Sequence, residues 1–225
     1  MKVAILGGTF NPLHIAHCML AETVVKELGF DKVLFVPANI PPHKEIKYAV
    51  SAEDRLNMVR EFCESSSLDG IQHFFCEDCE IVRQGISYTY DTVCFILEKY
   101  KNEIDGKPAL ILGEESASQF NKWHEAEKLA ALVDFIIARR HPDANGIDVK
   151  DFSNKPASSY AEDYASGDFR KSFSYPYTLL ENPIFPVSST EIRSRAASGK
   201  AFRYLVPSSV FYYIKEHKLY GFNDD

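Results

Sequence analysis

The sequence predicts an α/β fold: a Rossmann-like, mostly parallel sheet with helices on both faces and a small C-terminal helical part. Three observations carry this expectation. Short apolar runs alternate with segments of helical period as far as residue 138. The first run ends in two glycines just before a helical segment. With 225 residues, 45% of them hydrophobic, the chain can fill one sizeable core, and no second core or internal repeat stands out.

The elements follow in order. Residues 3–6 read as a buried strand. Leu20, Val24, Val25 and Leu28 mark one face of a helix that Gly29 is suited to stop. Residues 33–36 form a second strand, ended by Pro37. After the loop PANIPPHKEIKYAV comes SAEDRLNMVREFC, a helix with Ser51 and Asp54 placed as a capping box and Leu56, Val59 and Phe62 on one side. Residues 71–82 suggest strand and turn, and Tyr90 to about Glu103 a helix. Residues 109–112 are a strand ending in Gly113, followed by a helix near 125–132 and a strand at 135–138. The rhythm fails over 141–176, a long irregular insertion within what reads as a single domain over 1–225. Residues 188–198 and 207–217 are two closing helices, so the closing part spans 188–217.

Composition excludes several classes. The formal charge is -7 and no Lys/Arg block stands out, so nucleic acid is not expected as a partner. No apolar run approaches the roughly 20 residues that span a bilayer. The apolar start at residues 3–6 is too short for a signal peptide. Five cysteines, an odd number, suit reduced thiols, and a cytoplasmic location is expected. Cys76 and Cys79 form a lone C-x-x-C without a second pair, and Cys18 reads as a small buried hydrophobe.

The chemistry concentrates in VAILGGTFNPLHIAH. Gly7 and Gly8 lie beyond the carboxyl end of the first strand, where open parallel sheets bind ligands. The next helix presents its positive N-terminal end there. There is no P-loop and no G-x-G-x-x-G, so a dehydrogenase is disfavoured. The cations are His14 and His17, about one helical turn apart. A tight turn with incidental histidines is the bland reading of H-x-x-H alone.

GGTFNPLHIAH resembles the G-x-F-x-P-x-H-x-G-H signature of the nucleotidyltransferase superfamily. PPHK (41–44), SYTYDTV (87–93), the lone Trp123, VSSTEIRSR (187–195) and LVPSSVFYYIKEHKLY (205–220) resemble bacterial nicotinate-nucleotide adenylyltransferases, in the family's order and nearly end to end. The resemblance implies adenylyl transfer from ATP to nicotinate mononucleotide. That chemistry needs alignment and charge stabilisation, because the attacking phosphate is already anionic.

On this resemblance His17 and then His14 contact the ATP phosphates, and a nearby phosphate favours a protonated imidazole. Lys44 and Arg193 complete the catalytic set, Arg193 through its planar fork of donors. Gly7, Gly8, Gly113, Glu115, Ser188 and Ser189 would also hold ATP. Ser188 with Glu191 equally fits a capping box. Thr9, Phe10, Lys44, Tyr88, Thr89, Trp123 and His124 would hold the pyridine nucleotide. Phe10 could instead be core, and Thr89 an N-cap. Mg²⁺ is expected bound through ATP phosphates, with no protein metal ligands named.

Three positions depart from the pattern. Ala16 replaces a glycine, Asn11 stands where many relatives carry Asp, and Glu114 adds bulk and charge beside Glu115. Insertion 141–176 either covers the site or meets another subunit, which leaves a homo-oligomer open. Two alternatives stay beside the leading reading. One is a same-fold enzyme for another phosphorylated acceptor such as phosphopantetheine, and the other a non-catalytic nucleotide sensor.

Overall fold

The computed structural model describes residues 1–42, 50–139 and 169–223. Residues 140–168, which take in most of the expected insertion 141–176, are outside them. The described strands are β1 (Val3–Gly8), β2 (Lys32–Pro37), β3 (Phe74–Cys76), β4 (Ala109–Gly113), β5 (Asp134–Ala138) and β6 (Tyr177–Leu180). They form one six-stranded sheet in the order β3-β2-β1-β4-β5-β6, and every pairing is parallel.

Parallel strands must be covered on both faces, so their sequences read as continuous apolar runs. β1 shows how the alternation sorts its residues. Ala4 and Leu6 join Val33, Phe35, Ile111 and Ile136 in one core layer, while Val3 and Ile5 join Leu34, Val36, Leu110 and Ile137 in the other. The first layer packs under α1 (Ile15–Leu28), α2 (Ala52–Ser65), α7 (Ser189–Ala197) and α8 (Ser208–Glu216). The second packs under α4 (Thr89–Lys99), α5 (Glu114–Ser118) and α6 (Ala126–Leu132), joined by Phe169 and Phe173. α3 (Cys79–Arg83) is a short turn of helix after β3. Each fully buried Ile, Leu or Phe contributes about 1.5–3 kcal/mol relative to exposure.

The helix ends follow local chemistry. Gly29 stops α1 in the left-handed region at φ 66°, and its N–H reaches the Val24 carbonyl. α2 has the expected capping box: Ser51 Oγ accepts from Asp54 N at 2.9 Å, and the Asp54 carboxylate accepts from Ser51 N at 3.3 Å. Among the described residues no helix is long and apolar enough to cross a membrane.

Some expected boundaries move. The helix placed at Tyr90 to about Glu103 is Thr89–Lys99, because Tyr100 leaves helical geometry and the chain turns there. Tyr88, not Thr89, is its N-cap, so Thr89 is the first helical residue. The helix near 125–132 starts at Ala126, after Glu125 at φ 53°. At α7 only half of the Ser188/Glu191 capping box forms. Ser188 Oγ accepts from Glu191 N at 3.2 Å, while the Glu191 carboxylate pairs with Arg195 Nε at 2.8 Å instead of reaching back.

β1 sits at the centre. From it the chain moves outward through β2 and β3, then returns to β4 on its other flank. The crevice at the carboxyl ends of β1 and β4 is therefore the topological switch point, where open α/β sheets bind ligands.

Candidate active site

The turn between β1 and α1 occupies that switch point. Gly7 and Gly8 are not beyond β1, as the apolar run at 3–6 suggests, but are its last two residues, paired with Val36 and Pro37; Gly7 is exposed, while Gly8 and Thr9 are half-buried. A methyl group on Gly8 would meet the Phe10 ring at 2.9 Å, so this glycine lets the ring close over the backbone. Phe10 itself has φ 46°, and its ring is 2% exposed. It stands edge-on to His17, with centroids 5.1 Å apart, and packs against Phe35 at 5.9 Å. The side chain of Phe10 is thus core, and what it offers a ligand is backbone. The Asn11–Pro12 peptide is cis.

His14 is the N-cap of α1 in extended geometry and is buried, while His17 is half-buried. Their rings stack at 3.8 Å with an interplanar angle of 27°. The backbone N–H of His14 donates to His17 Nδ1 at 3.3 Å. The paired imidazoles thus lie together at the positive end of α1. Ala16 packs its methyl against the core under α1.

Side chains from three distant segments hold the turn. Ser189 Oγ donates to the Pro12 carbonyl at 2.9 Å. Arg193 Nη1 donates to the Asn11 carbonyl at 2.8 Å, and Nη2 to Thr190 Oγ1 at 3.2 Å. Tyr220, near the C-terminus, donates to Asn11 Oδ1 at 2.8 Å. Arg55 of α2 donates through Nη1 to the carbonyls of Thr9 (2.8 Å) and Ala38 (2.5 Å), and through Nη2 to Asn39 (3.0 Å). Arg55 is 1% exposed. Burial lowers its pKa, opposed by Tyr220 and Glu80, and an arginine stays charged regardless. Burial raises the Tyr220 phenol, opposed by Arg193 and Arg55, so it remains a donor.

The sequence reading missed Arg55 and Tyr220. A signal for Arg55 exists, since it shares a helical face with Met58, Val59 and Phe62 and so continues an apolar stripe with a charge. For Tyr220 no local pattern marks the contact, which spans 209 residues.

The remaining candidates form two further groups. Gly113 ends β4 and caps α5, whose first turn contains Glu114 and Glu115. β4 pairs β1 through Ala4↔Ala109 and Ile5↔Leu110, and the same offset brings Gly113 level with Gly8. The second group is aromatic. Tyr88 and His124 lie 4.4 Å apart, and Tyr90 stands near the same imidazole at 6.5 Å. Trp123 is half-buried against Phe120 at 5.5 Å. Hydrogen bonds tie this group back to the turn. Asn39 N donates to Ser87 Oγ at 2.8 Å, and Ser87 N to the Ile40 carbonyl at 2.9 Å. Asn39 is also an Arg55 partner.

Lys44 lies outside the described residues. The cysteines read as a C-x-x-C are free thiols, both pushed up to about 12, chiefly by burial. Cys18 donates to the His14 carbonyl at 3.4 Å. Among the described residues, no group of three or more His, Cys, Asp and Glu side chains is placed to hold a metal ion.

The chain is similar to known proteins over nearly its whole length. The profile of the family described as cytidylyltransferase-like matches residues 5–195. A relative from Treponema pallidum named "probable nicotinate-nucleotide adenylyltransferase" is 37% identical, with 98% of this chain and 99% of the relative covered. Relatives of the same name are 35% identical in Lactiplantibacillus plantarum (99% of this chain, 90% of the relative) and 34% in Borreliella burgdorferi (98% and 97%). The solved structure of Plasmodium falciparum nicotinic acid mononucleotide adenylyltransferase complexed with NaAD is 22% identical. It superposes with a TM-score of 0.69 over 100% of this chain and 99% of that one, which shows the shared fold.

Proposed function

We propose, from the premise that the chain belongs to the cytidylyltransferase-like family and within it to the nicotinate-nucleotide adenylyltransferases, that it transfers an adenylyl group from ATP to nicotinate mononucleotide in NAD biosynthesis. The products are nicotinate adenine dinucleotide and pyrophosphate. The observation that carries this reading is the stacked His14/His17 pair at the N-terminus of α1, set at the switch point of a parallel sheet.

In this reaction a phosphate oxygen of the mononucleotide forms a bond to the α-phosphorus of ATP. The bond from that phosphorus to the bridging oxygen breaks, and pyrophosphate leaves with the electron pair. No protein nucleophile is needed, so the side chains align and neutralise. His17 donates to the transferring phosphate, and His14, more buried, supports it from the stacked position. Gly7 and Thr9 present backbone N–H groups, while Gly8, whose N–H side faces the ladder with β2, lets the backbone approach closely. The N-terminus of α7, with Ser188 and Ser189, faces the triphosphate together with Arg193. Arg193 bonds to the Asn11 carbonyl through Nη1 and to Thr190 Oγ1 through Nη2. The second N–H of each terminal nitrogen is left for outer phosphates. Lys44 joins from the segment after β2, and Gly113 with Glu115 lies toward the nucleoside. Trp123, Tyr88 and His124 supply the flat apolar wall that a pyridine ring requires, with Thr89 at its carboxylate.

Nucleotidyltransferases generally use a divalent metal. The donors on the turn are imidazoles and N–H groups, which suit phosphate oxygens rather than Mg²⁺. On this reading magnesium arrives with ATP and is part of the substrate.

The test is direct. The pure protein is mixed with Mg-ATP and, in parallel, nicotinate mononucleotide, nicotinamide mononucleotide or phosphopantetheine, and products are identified by mass spectrometry. A dinucleotide of mass matching nicotinate adenine dinucleotide is expected. Product only with phosphopantetheine would transfer the protein to another acceptor. ATP binding without any product would make it a sensor.

A further inference from the structure

We propose that Arg55 and Tyr220 are positioning residues: a two-ended clamp that sets the turn at residues 9–12 for catalysis without touching either substrate. The proposal rests on the adenylyl-transfer reading above.

The argument starts from burial. Arg55 is 1% exposed, yet it donates to three neutral carbonyls, of Thr9, Ala38 and Asn39. A buried guanidinium demands such partners, and its planar fork fixes their relative directions. Thr9 follows β1, and Ala38 and Asn39 follow β2. One side chain therefore sets the distance between the two strand exits that frame the crevice. The ladder supports the same junction, since Ala38 N donates to the Gly8 carbonyl at 2.8 Å.

Tyr220 holds the other end. Its hydroxyl donates to Asn11 Oδ1 at 2.8 Å, and Asn11 is 5% exposed. Arg55 fixes the entry of the turn and Tyr220 its exit, three residues before His14. A lysine cannot reproduce the first contact, because an ammonium is a point charge without a planar fork. A phenylalanine cannot reproduce the second, because it lacks only the hydroxyl that makes it. The turn's N–H groups and the His14/His17 pair act at fixed distances from a transferring phosphate, and a displacement of about 1 Å there costs on the order of a hundredfold in rate.

The experiment compares wild type, Arg55→Lys and Tyr220→Phe at a temperature where circular dichroism shows each fully folded. It reads kcat and both KM values, and amide hydrogen exchange over residues 8–14. For Arg55→Lys, kcat is expected to fall by about tenfold or more, with both KM values within about threefold. For Tyr220→Phe the expected fall is about threefold to tenfold. Exchange should rise at residues 8–14 in both variants and stay unchanged in β4 and β5. A merely structural role would raise exchange across the sheet and leave kcat per folded molecule intact.

Folded variants with both rates within about twofold of wild type overturn the proposal. If Arg55→Lys does not fold, Tyr220→Phe decides alone by the same two readouts. If wild type makes no dinucleotide, the function reading fails instead, and exchange over residues 8–14 still decides whether the clamp exists.

Discussion

The backbone N–H of His14 donates to Nδ1 of His17, one turn further along the same helix, at 3.3 Å. A neutral His17 must then carry its ring proton on Nε2, because Nδ1 is occupied as an acceptor. One contact so sets both the cap of α1 and the direction of the donor. His17→Ala is expected to lower kcat by about 10²–10³, the usual effect of removing a preorganised donor from a developing charge. Steady-state kinetics with Mg-ATP and nicotinate mononucleotide checks it. Unchanged turnover would remove His17 from the catalytic set.

Gly8 and Phe10 make a second local test. Gly8→Ala places a methyl 2.9 Å from a ring that is held by Phe35 and His17. Overpacking of this kind costs about 1–3 kcal/mol. Urea denaturation should show that loss, and Phe10→Leu in the same chain should return part of it. A double-mutant cycle with no coupling would mean that the ring does not close over Gly8.

Ser188 caps α7 through Glu191 N. Ser188→Ala should destabilise by about 1 kcal/mol and Ser188→Gly by a few tenths. Thermal melts of the two variants give the comparison. Equal losses would argue that the hydroxyl acts elsewhere.

For the aromatic wall the prediction concerns one substrate. Trp123→Ala should raise KM for the mononucleotide by about tenfold, the order expected for a lost stacking surface, and leave KM for ATP within about twofold. A parallel rise in both would place Trp123 in packing alone, against Phe120.

Thiol titration gives a pH prediction. Burial pushes Cys76 and Cys79 up to about 12 in the folded chain. The unfolded thiols titrate near pH 8.5, so above that value the unfolded state binds fewer protons than the folded one. Their contribution is complete below about pH 8.5 and is lost as pH rises toward about 12. The urea midpoint should therefore fall between about pH 8 and pH 10, and less steeply in Cys79→Ala than in wild type. Equal slopes would count against the protonated, buried thiol.

Much of the fold is legible in sequence because most strands are buried on both faces. β1, β2, β4 and β5 stand out as apolar runs, and α2 announces its cap. β6 does not, since Tyr177 and Thr178 are exposed and only Leu180 is buried. α5 is invisible for another reason: Glu-Glu-Ser carries no helical stripe, and it is a single short turn after Gly113. In the candidate site, the histidines and glycines stand out in sequence because paired glycines after a strand and imidazoles one helical turn apart suit an anion. Phe10 is half legible, as a motif residue whose ring turns out to be core. Arg55 and Tyr220 act on backbone and on a side-chain amide far along the chain, and spacing carries no record of such contacts.

The central place of β1 also shapes the order in which the molecule can be made. β1 pairs with β2 across a single helix, but its other flank waits for β4, whose Ala109 meets Ala4. At roughly 5–20 residues added per second, that flank stays open for on the order of 5–20 s during synthesis. An apolar strand with unpaired N–H and C=O groups is a template for pairing with another chain over that interval. A transcript broken before β4 would release a fragment in that exposed state, so chaperone demand and aggregation should rise for nonsense mutations upstream of residue 109.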